Sequence, residues 1–126
     1  MARRGYEAFN RGDPKAMVVD FAPNFEYVTT GGIPGVDSVY RGPEGLTEAV
    51  GWIWGEFENP GIEVHALTEA GNQVLAEVTL RGRGKQSGVD TSWNIWHLWT
   101  AQDGKIVRGQ AFTSSQEALE AAGLRE

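Results

Sequence analysis

Residues 92–107, SWNIWHLWTAQDGKIV, decide the fold of this chain. Asp103-Gly104 is a strong signal for a two-residue hairpin turn, because a type I′ turn needs a positive φ at both central positions. β-Branched and aromatic residues lie on both sides of this pair, as they do in paired strands. Three tryptophans at a spacing of three would also suit a helix, but the turn and its flanks favour strands over residues 89–101 and 105–113.

The first of these strands is apolar on both faces. Side chains alternate along a strand, so Trp93, Ile95, His97 and Trp99 share one face, and Ser92, Asn94, Trp96 and Leu98 share the other. We expect helices to cover the face of Trp96. A second copy of the chain then covers the face of His97, because a large uncovered apolar patch marks an interface. A β-bulge beside His97 would reverse this assignment.

The residues before this hairpin predict helices. Two helices meet at residues 10–14, where Gly12 suits a left-handed C′ position, Asp13 an N-cap and Pro14 a first helical position. A strand over residues 25–29, a loop over 30–38 and a brief strand over 39–41 follow. The next helix begins at residue 42 and stops at residues 59–61. Its apolar stripe consists of Leu46, Ala49, Val50, Ile53, Trp54 and Phe57.

The second half of the chain predicts an antiparallel meander. Strands over residues 62–69 and 73–83 precede the hairpin of residues 89–101 and 105–113. A capping box at residues 114–117 begins a short last helix, and Gly123 and Leu124 end it in a Schellman motif. The fold class is therefore α+β.

Composition narrows the class of protein. The 126 residues suit one domain over residues 1–126, and the net charge of −6 argues against a nucleic-acid partner. The sequence has no cysteine, no apolar run long enough to cross a bilayer and no signal-peptide pattern, so a cytoplasmic location is expected. Neither a phosphate-binding loop nor a dinucleotide fingerprint occurs, and His65 and His97 lack metal-ligand spacing, so no cofactor and no metal are expected.

Several segments carry a resemblance to a known family. Residues 5–13 (GYEAFNRGD), 40–45 (YRGPEG), 96–100 (WHLWT), 103–108 (DGKIVR) and 117–124 (EALEAAGL) resemble the SnoaL-like branch of the nuclear-transport-factor-2-like superfamily. The resemblance implies a cone-shaped barrel, in which N-terminal helices pack on a curved, mostly antiparallel sheet and enclose an apolar pocket. It also implies a homodimer formed through the outer sheet face. Relatives include polyketide cyclases, dehydratases, steroid isomerases and epoxide hydrolases, so the fold alone leaves the activity open.

The catalytic residues of two such relatives are absent here. Steroid isomerases use a carboxylate base with a tyrosine and a protonated aspartic acid, where this sequence has Thr29, Gly5 and Trp96. Epoxide hydrolases use an Asp-Arg-Asp set, and the corresponding positions fall at Trp96, Asn94 and Gln110. These amides and this indole can orient a water molecule but cannot take its proton, so neither mechanism is expected.

The sequence therefore predicts a small-molecule site of unassigned reaction. The hypothesis is binding of a small hydrophobic or polycyclic molecule, with cofactor-free proton transfer or hydration at His97 as the base. Predicted ligand-binding residues are Tyr6, Tyr27, Trp52 (with Trp54 as its alternative), Asn94, Trp96, Leu98, Gln110 and Phe112. Two alternatives stay open: a ligand-binding module without catalysis, and a dimeric interaction module whose aromatic residues only fill its core.

Overall fold

A computed structural model describes residues 2–29 and 39–124 of the chain. Its elements are α1 (Ala2–Arg11), α2 (Pro14–Met17), β1 (Phe21–Thr29), β2 (Val39–Arg41), α3 (Gly42–Glu56), β3 (Phe57–Ala70), β4 (Gln73–Gly84), β5 (Asp90–Gln102), β6 (Lys105–Phe112) and α4 (Ser115–Ala121). The predicted order of elements is confirmed, while the predicted loop over residues 30–38 lies outside the described residues. No helix within the described ranges has the length and hydropathy of a membrane-spanning segment.

In the described part of the chain, one curved sheet of six strands has the order β2-β1-β6-β5-β4-β3. Neighbouring strands are antiparallel except β1 and β6, which run parallel. The edges β2 and β3 do not pair, so the barrel stays open. This is the α+β cone predicted from the sequence. β1 begins at Phe21, four residues earlier than predicted, because Phe21 already pairs with Ile106 of β6.

The start of β3 differs from the prediction. The helix α3 ends at Glu56 and β3 begins directly at Phe57, so the predicted stop signal at residues 59–61 lies inside a strand. The pairing of β3 with β4 is irregular between Glu58 and Gly61, and Asn59 has a φ of 48°. An edge strand tolerates Pro60 because an edge residue can lack its N–H without breaking the ladder.

Local capping signals act as the sequence predicts. The side chain of Asp13 accepts a hydrogen bond from the Ala16 N–H at 3.2 Å and caps α2. At the other end of the chain, the Ser114 hydroxyl accepts from the Glu117 N–H. The Leu124 N–H donates to the Leu119 carbonyl at 2.9 Å, and Gly123 has a φ of 74°, which confirms the Schellman motif after α4.

The predicted assignment of the two faces of β5 is wrong. Ile95 and Trp99 belong to the main core between the helices and the sheet, and His97 lies beside them with 6% exposure. Leu98 belongs instead to a smaller core on the outer face, which α4 covers. Alternation separates two sets of side chains but does not say which set the helices meet, and here both sets are apolar. No bulge beside His97 is involved, since it pairs in regular register with Ala76 and Ala111.

Candidate functional site

A cavity of about 80 Å³ lies between the N-terminal helices and the inner face of the sheet. Its apolar wall comes from both layers and includes Phe9, Leu46, Val50, Ile53, Leu80 and Ile95. The polar side chains in the wall are Tyr6, Tyr27, Thr29, His97 and Trp99, and no Asp, Glu, Lys or Arg is found among the described lining residues. The cavity is therefore an apolar space with a small polar end and no formal charge in its described wall.

Four side chains of this wall form one buried polar network, consisting of Trp99, Tyr6, His97 and Tyr27. The indole N–H of Trp99 donates to the Tyr6 hydroxyl at 2.8 Å. That hydroxyl lies 2.7 Å from His97 Nδ1, and His97 Nε2 lies 3.1 Å from the Tyr27 hydroxyl. Since α1, β1 and β5 each contribute to it, the network exists only in the folded chain.

Small residues make room for this network. His97 lies between Ala76 on β4 and Ala111 on β6, so its cross-strand neighbours leave space above the sheet. Gly109 on β6 is opposite Trp99, and a Cβ there would be 2.5 Å from the Trp99 ring and 3.1 Å from the Tyr27 ring. Only glycine lets both rings lie directly over this strand, as is typical of a strand glycine at a close approach.

Burial keeps all three titratable members of the network uncharged. It lowers the pKa of His97 from 6.5 to about 4, so the imidazole is neutral at pH 7. Burial also raises the pKa values of Tyr6 and Tyr27 far above their ordinary range, so both phenols keep their protons. A neutral imidazole accepts a hydrogen bond at one nitrogen and donates at the other, which suits a position between two hydroxyls.

The structure brings together three of the predicted site residues. Tyr6, Tyr27 and His97 meet in the cavity wall, although His97 was expected on the opposite face. Its catalytic role stays a prediction.

Six predicted ligand residues lie outside the described cavity wall: Trp52, Asn94, Trp96, Leu98, Gln110 and Phe112. Their predicted place beside Tyr6 and Tyr27 is wrong. The last five belong to the outer face, where Leu98 pairs with Gln110 and Trp96 with Phe112. Trp52 on α3 instead packs edge-on against Phe57, with ring centroids 6.2 Å apart. Its alternative, Trp54, packs against Phe9.

Sequence reasoning missed Trp99 and Gly109 as parts of the site. The sequence analysis predicts that Trp99 and His97 both lie on the face covered by a second subunit, and this prediction is wrong for both residues. Gly109 carried a usable signal, since an isolated glycine inside a strand marks a close approach of another group. That signal does not name the group, because Trp99 reaches Gly109 only through the pairing of β5 with β6.

Comparison with known proteins agrees with this fold. A nuclear-transport-factor-2-like protein from Burkholderia thailandensis E264 is 26% identical, with a TM-score of 0.79 over 98% of this chain and 95% of that chain. A hypothetical protein with a ketosteroid isomerase-like fold from Catenulispora acidiphila DSM 44928, in complex with trimethylamine, is 19% identical, with a TM-score of 0.78 over 98% and 92%. A candidate SnoaL-like polyketide cyclase from Jannaschia sp. CCS1 is 17% identical, with a TM-score of 0.75 over 96% and 87%.

A search among curated proteins finds no match. The structural likenesses establish the fold and leave the reaction open. Residues 2–109 match the family model of the SnoaL-like domain, which covers most of the chain. This chain therefore belongs to the SnoaL-like domain family.

Proposed function

We propose that this chain binds a small, uncharged, mainly apolar molecule in the cavity. The observation that supports this proposal is the buried polar network in a mainly apolar wall. Small-molecule sites combine an apolar wall with a few placed polar groups in this way. A core that served only for packing gains little from two phenols and an imidazole, because buried polar groups are costly unless every one is satisfied.

The size of the cavity favours a small occupant. Its volume of about 80 Å³ is below the roughly 150 Å³ of an apolar cavity that holds benzene. A molecule smaller than a benzene ring fits the present shape, whereas the polycyclic class expected from the sequence requires the helices to move away from the sheet. The trimethylamine complex of the Catenulispora protein supports the small size alone, since that ligand is compact but is a cation near pH 7.

His97 is the group through which we propose any proton transfer or hydration to run, without a cofactor. It is the described wall residue whose ordinary pKa lies nearest neutrality. Its lowered pKa of about 4 means that protonation at pH 7 costs about 4 kcal/mol. Proton uptake by His97 is therefore expected only when negative charge develops on the bound molecule. Binding of a small molecule is therefore the main proposal, and any proton transfer or hydration at His97 requires that binding first.

Thermal shift and calorimetry with small neutral and charged compounds test this proposal. Acetone and similar neutral molecules are expected to raise the melting temperature, since a ligand that binds only the folded state stabilises it. Acetate is not expected to bind, because no described charged side chain lines the cavity. A neutral series that leaves the melting temperature unchanged at millimolar concentrations would overturn the proposal.

A matched pair of variants locates the binding. Ala49→Leu adds three carbon atoms to α3 in the cavity wall and is expected to abolish the acetone effect. Ala121→Leu makes the same change at an exposed position of α4 and should leave binding intact. Binding that survives Ala49→Leu would place the ligand elsewhere on the protein.

The homodimer remains a proposal on a reduced surface. Because α4 already covers Leu75, Leu98 and Phe112 on the outer face, we place the contact with a second subunit at Trp96, which packs beside them. Trp96 is half-buried and lies beside a groove of about 350 Å³ that also includes Glu77. A partly exposed indole at a groove suits a subunit contact.

A further inference from the structure

We infer that the occupant of the cavity is an uncharged hydrogen-bond acceptor, such as a small ketone, and that the Tyr27 hydroxyl donates to it. This inference rests on the proposed binding function and names the chemical class of its ligand. It follows from a count of hydrogens in the buried polar network and from two distances within it.

The network has one donor hydrogen more than it uses. Its donor hydrogens are the Trp99 N–H, the Tyr6 O–H, the Tyr27 O–H and the single N–H of neutral His97. The network has three hydrogen bonds, and each uses one of these four hydrogens. The bonds join Trp99 with Tyr6, Tyr6 with His97, and His97 with Tyr27. One phenolic O–H is therefore left without an acceptor in the network.

The two distances to His97 favour one phenol as the holder of the spare hydrogen. With an oxygen acceptor, a hydroxyl donor forms a shorter bond, about 2.7–2.8 Å, than an N–H donor, about 2.9–3.0 Å. The 2.7 Å contact of Tyr6 with Nδ1 fits an O–H that donates to the imidazole. The 3.1 Å contact of Nε2 with Tyr27 fits an N–H that donates to the phenol oxygen. On these distances we assign His97 as the Nε2–H tautomer, which gives the spare O–H to Tyr27.

Tyr27 is well placed to use this hydrogen on a ligand. Its side chain lines the cavity and is buried, with 9% exposure. The contacts among the described residues give this hydrogen no acceptor, and a buried hydroxyl hydrogen without one is costly. A ligand oxygen that accepts it removes a cost that an alkene or alkane of the same shape cannot remove. Tyr6 and Trp99 are positioning residues in this arrangement. They set the tautomer of His97, and each uses its own donor hydrogen within the network.

Two probes of the same size and planar shape test the inference. Acetone has an oxygen acceptor where isobutene has a CH₂ group. Their binding is measured in the unmodified protein and in Tyr27→Phe, so the different aqueous solubilities cancel when each probe is compared with itself. We expect Tyr27→Phe to weaken acetone binding about tenfold, the size of one hydrogen bond, and to change isobutene binding less than twofold.

Tyr40→Phe is the matched control. Tyr40 pairs with Tyr27 across β1 and β2 but does not belong to the described cavity wall, so its loss of a hydroxyl should leave both probes unaffected. If both probes bind and Tyr27→Phe affects them equally, the cavity is a binding site and this inference is wrong. If neither probe binds the unmodified protein, the proposed function fails and this inference fails with it.

The tautomer of His97 gives a second readout that needs no substitution. Nitrogen NMR of histidine-labelled protein at pH 7 is expected to show the proton on Nε2 and a bare Nδ1. A proton on Nδ1 would assign the spare hydrogen to Tyr6 and overturn the assignment to Tyr27. This measurement decides the question even if Tyr27→Phe does not fold.

Discussion

The two faces of β5 have similar apolar composition and opposite roles. On the inner face, His97 and Trp99 join phenols from two other elements around a cavity. On the outer face, Leu98 packs with Leu75, Phe112 and Ala118 under the last helix. Both His97 and Leu98 are buried, with 6% and 0% exposure, so burial alone does not distinguish the face that lines the cavity from the face packed under a helix. The difference is that the inner face buries polar atoms that must be satisfied.

The largest expected effect tests the structural face. Leu98→Ala removes a fully buried side chain from the outer core and should lower the free energy of unfolding by about 4 kcal/mol. Acetone affinity of the folded protein should stay within twofold, because Leu98 does not reach the cavity. Urea denaturation and calorimetry measure the two quantities. If the fully folded Leu98→Ala variant binds acetone much more weakly, packing on the outer face of β5 affects the cavity on its inner face.

A pH titration of stability tests the inner face. The pKa of His97 is about 4 in the folded chain and 6.5 when unfolded, so the unfolded chain binds more protons between these values. Stability is therefore lost as the pH falls from 6.5 to 4, by about 3 kcal/mol from this residue, and the loss ends below pH 4. Denaturation curves of His97→Gln should lack this component. Equal pH dependence in both proteins would contradict the burial of a neutral imidazole.

The close contact at Gly109 connects the sheet to the network. Gly109→Ala places a methyl group against the Trp99 and Tyr27 rings and should cost about 2 kcal/mol of unfolding free energy, as overpacking does. Acetone binding should weaken as well, because both rings belong to the network. Gly51→Ala, on an exposed helical position with open space around its Cβ, is the control and should not reduce stability. A Gly109→Ala variant that binds acetone normally would mean that the close contact at Gly109 is not needed for ligand binding.

The smallest expected effect concerns the outer strip. Trp96→Ala should cost about 1 kcal/mol, because the indole is only half-buried, and should leave acetone affinity unchanged. If the proposed homodimer uses this strip, light scattering on a sizing column will show a shift from dimer to monomer in the variant. If the unmodified protein is a monomer, the dimer proposal is wrong. If Trp96→Ala weakens acetone binding, Trp96 contributes to the ligand site.

Much of the fold is predictable because its signals are local. The hairpin at Asp103-Gly104 and the caps at Asp13 and Ser114 depend on neighbours a few residues away. The limits of β1 and β3 were less accurate, because β1 is extended by pairing with β6 and β3 passes through Pro60 at a sheet edge. These errors arise where a distant strand overrides a local preference.

The site was only partly predictable for the same reason. Tyr6, Tyr27 and His97 were named as candidates from their chemistry, yet the network that joins them spans up to 93 residues of sequence. The two sets of β5 side chains follow from alternation, but their orientation depends on which face the helices cover. The predictions for Gln110 and Phe112 were wrong together with that for Trp96. Residues paired across neighbouring strands lie on the same face of the sheet, so an error in the face of β5 carries over to β6.

The amino-acid sequence by itself determined the family, the order of elements, the turns and caps, and the alternation along each strand, because these depend on contacts close along the chain. Only the tertiary structure decided that His97 faces inward, that Gly109 admits two rings and that the described network has one donor hydrogen more than its contacts use. Those features require groups from separate elements to come within hydrogen-bond distance, and no periodicity in the sequence records that distance.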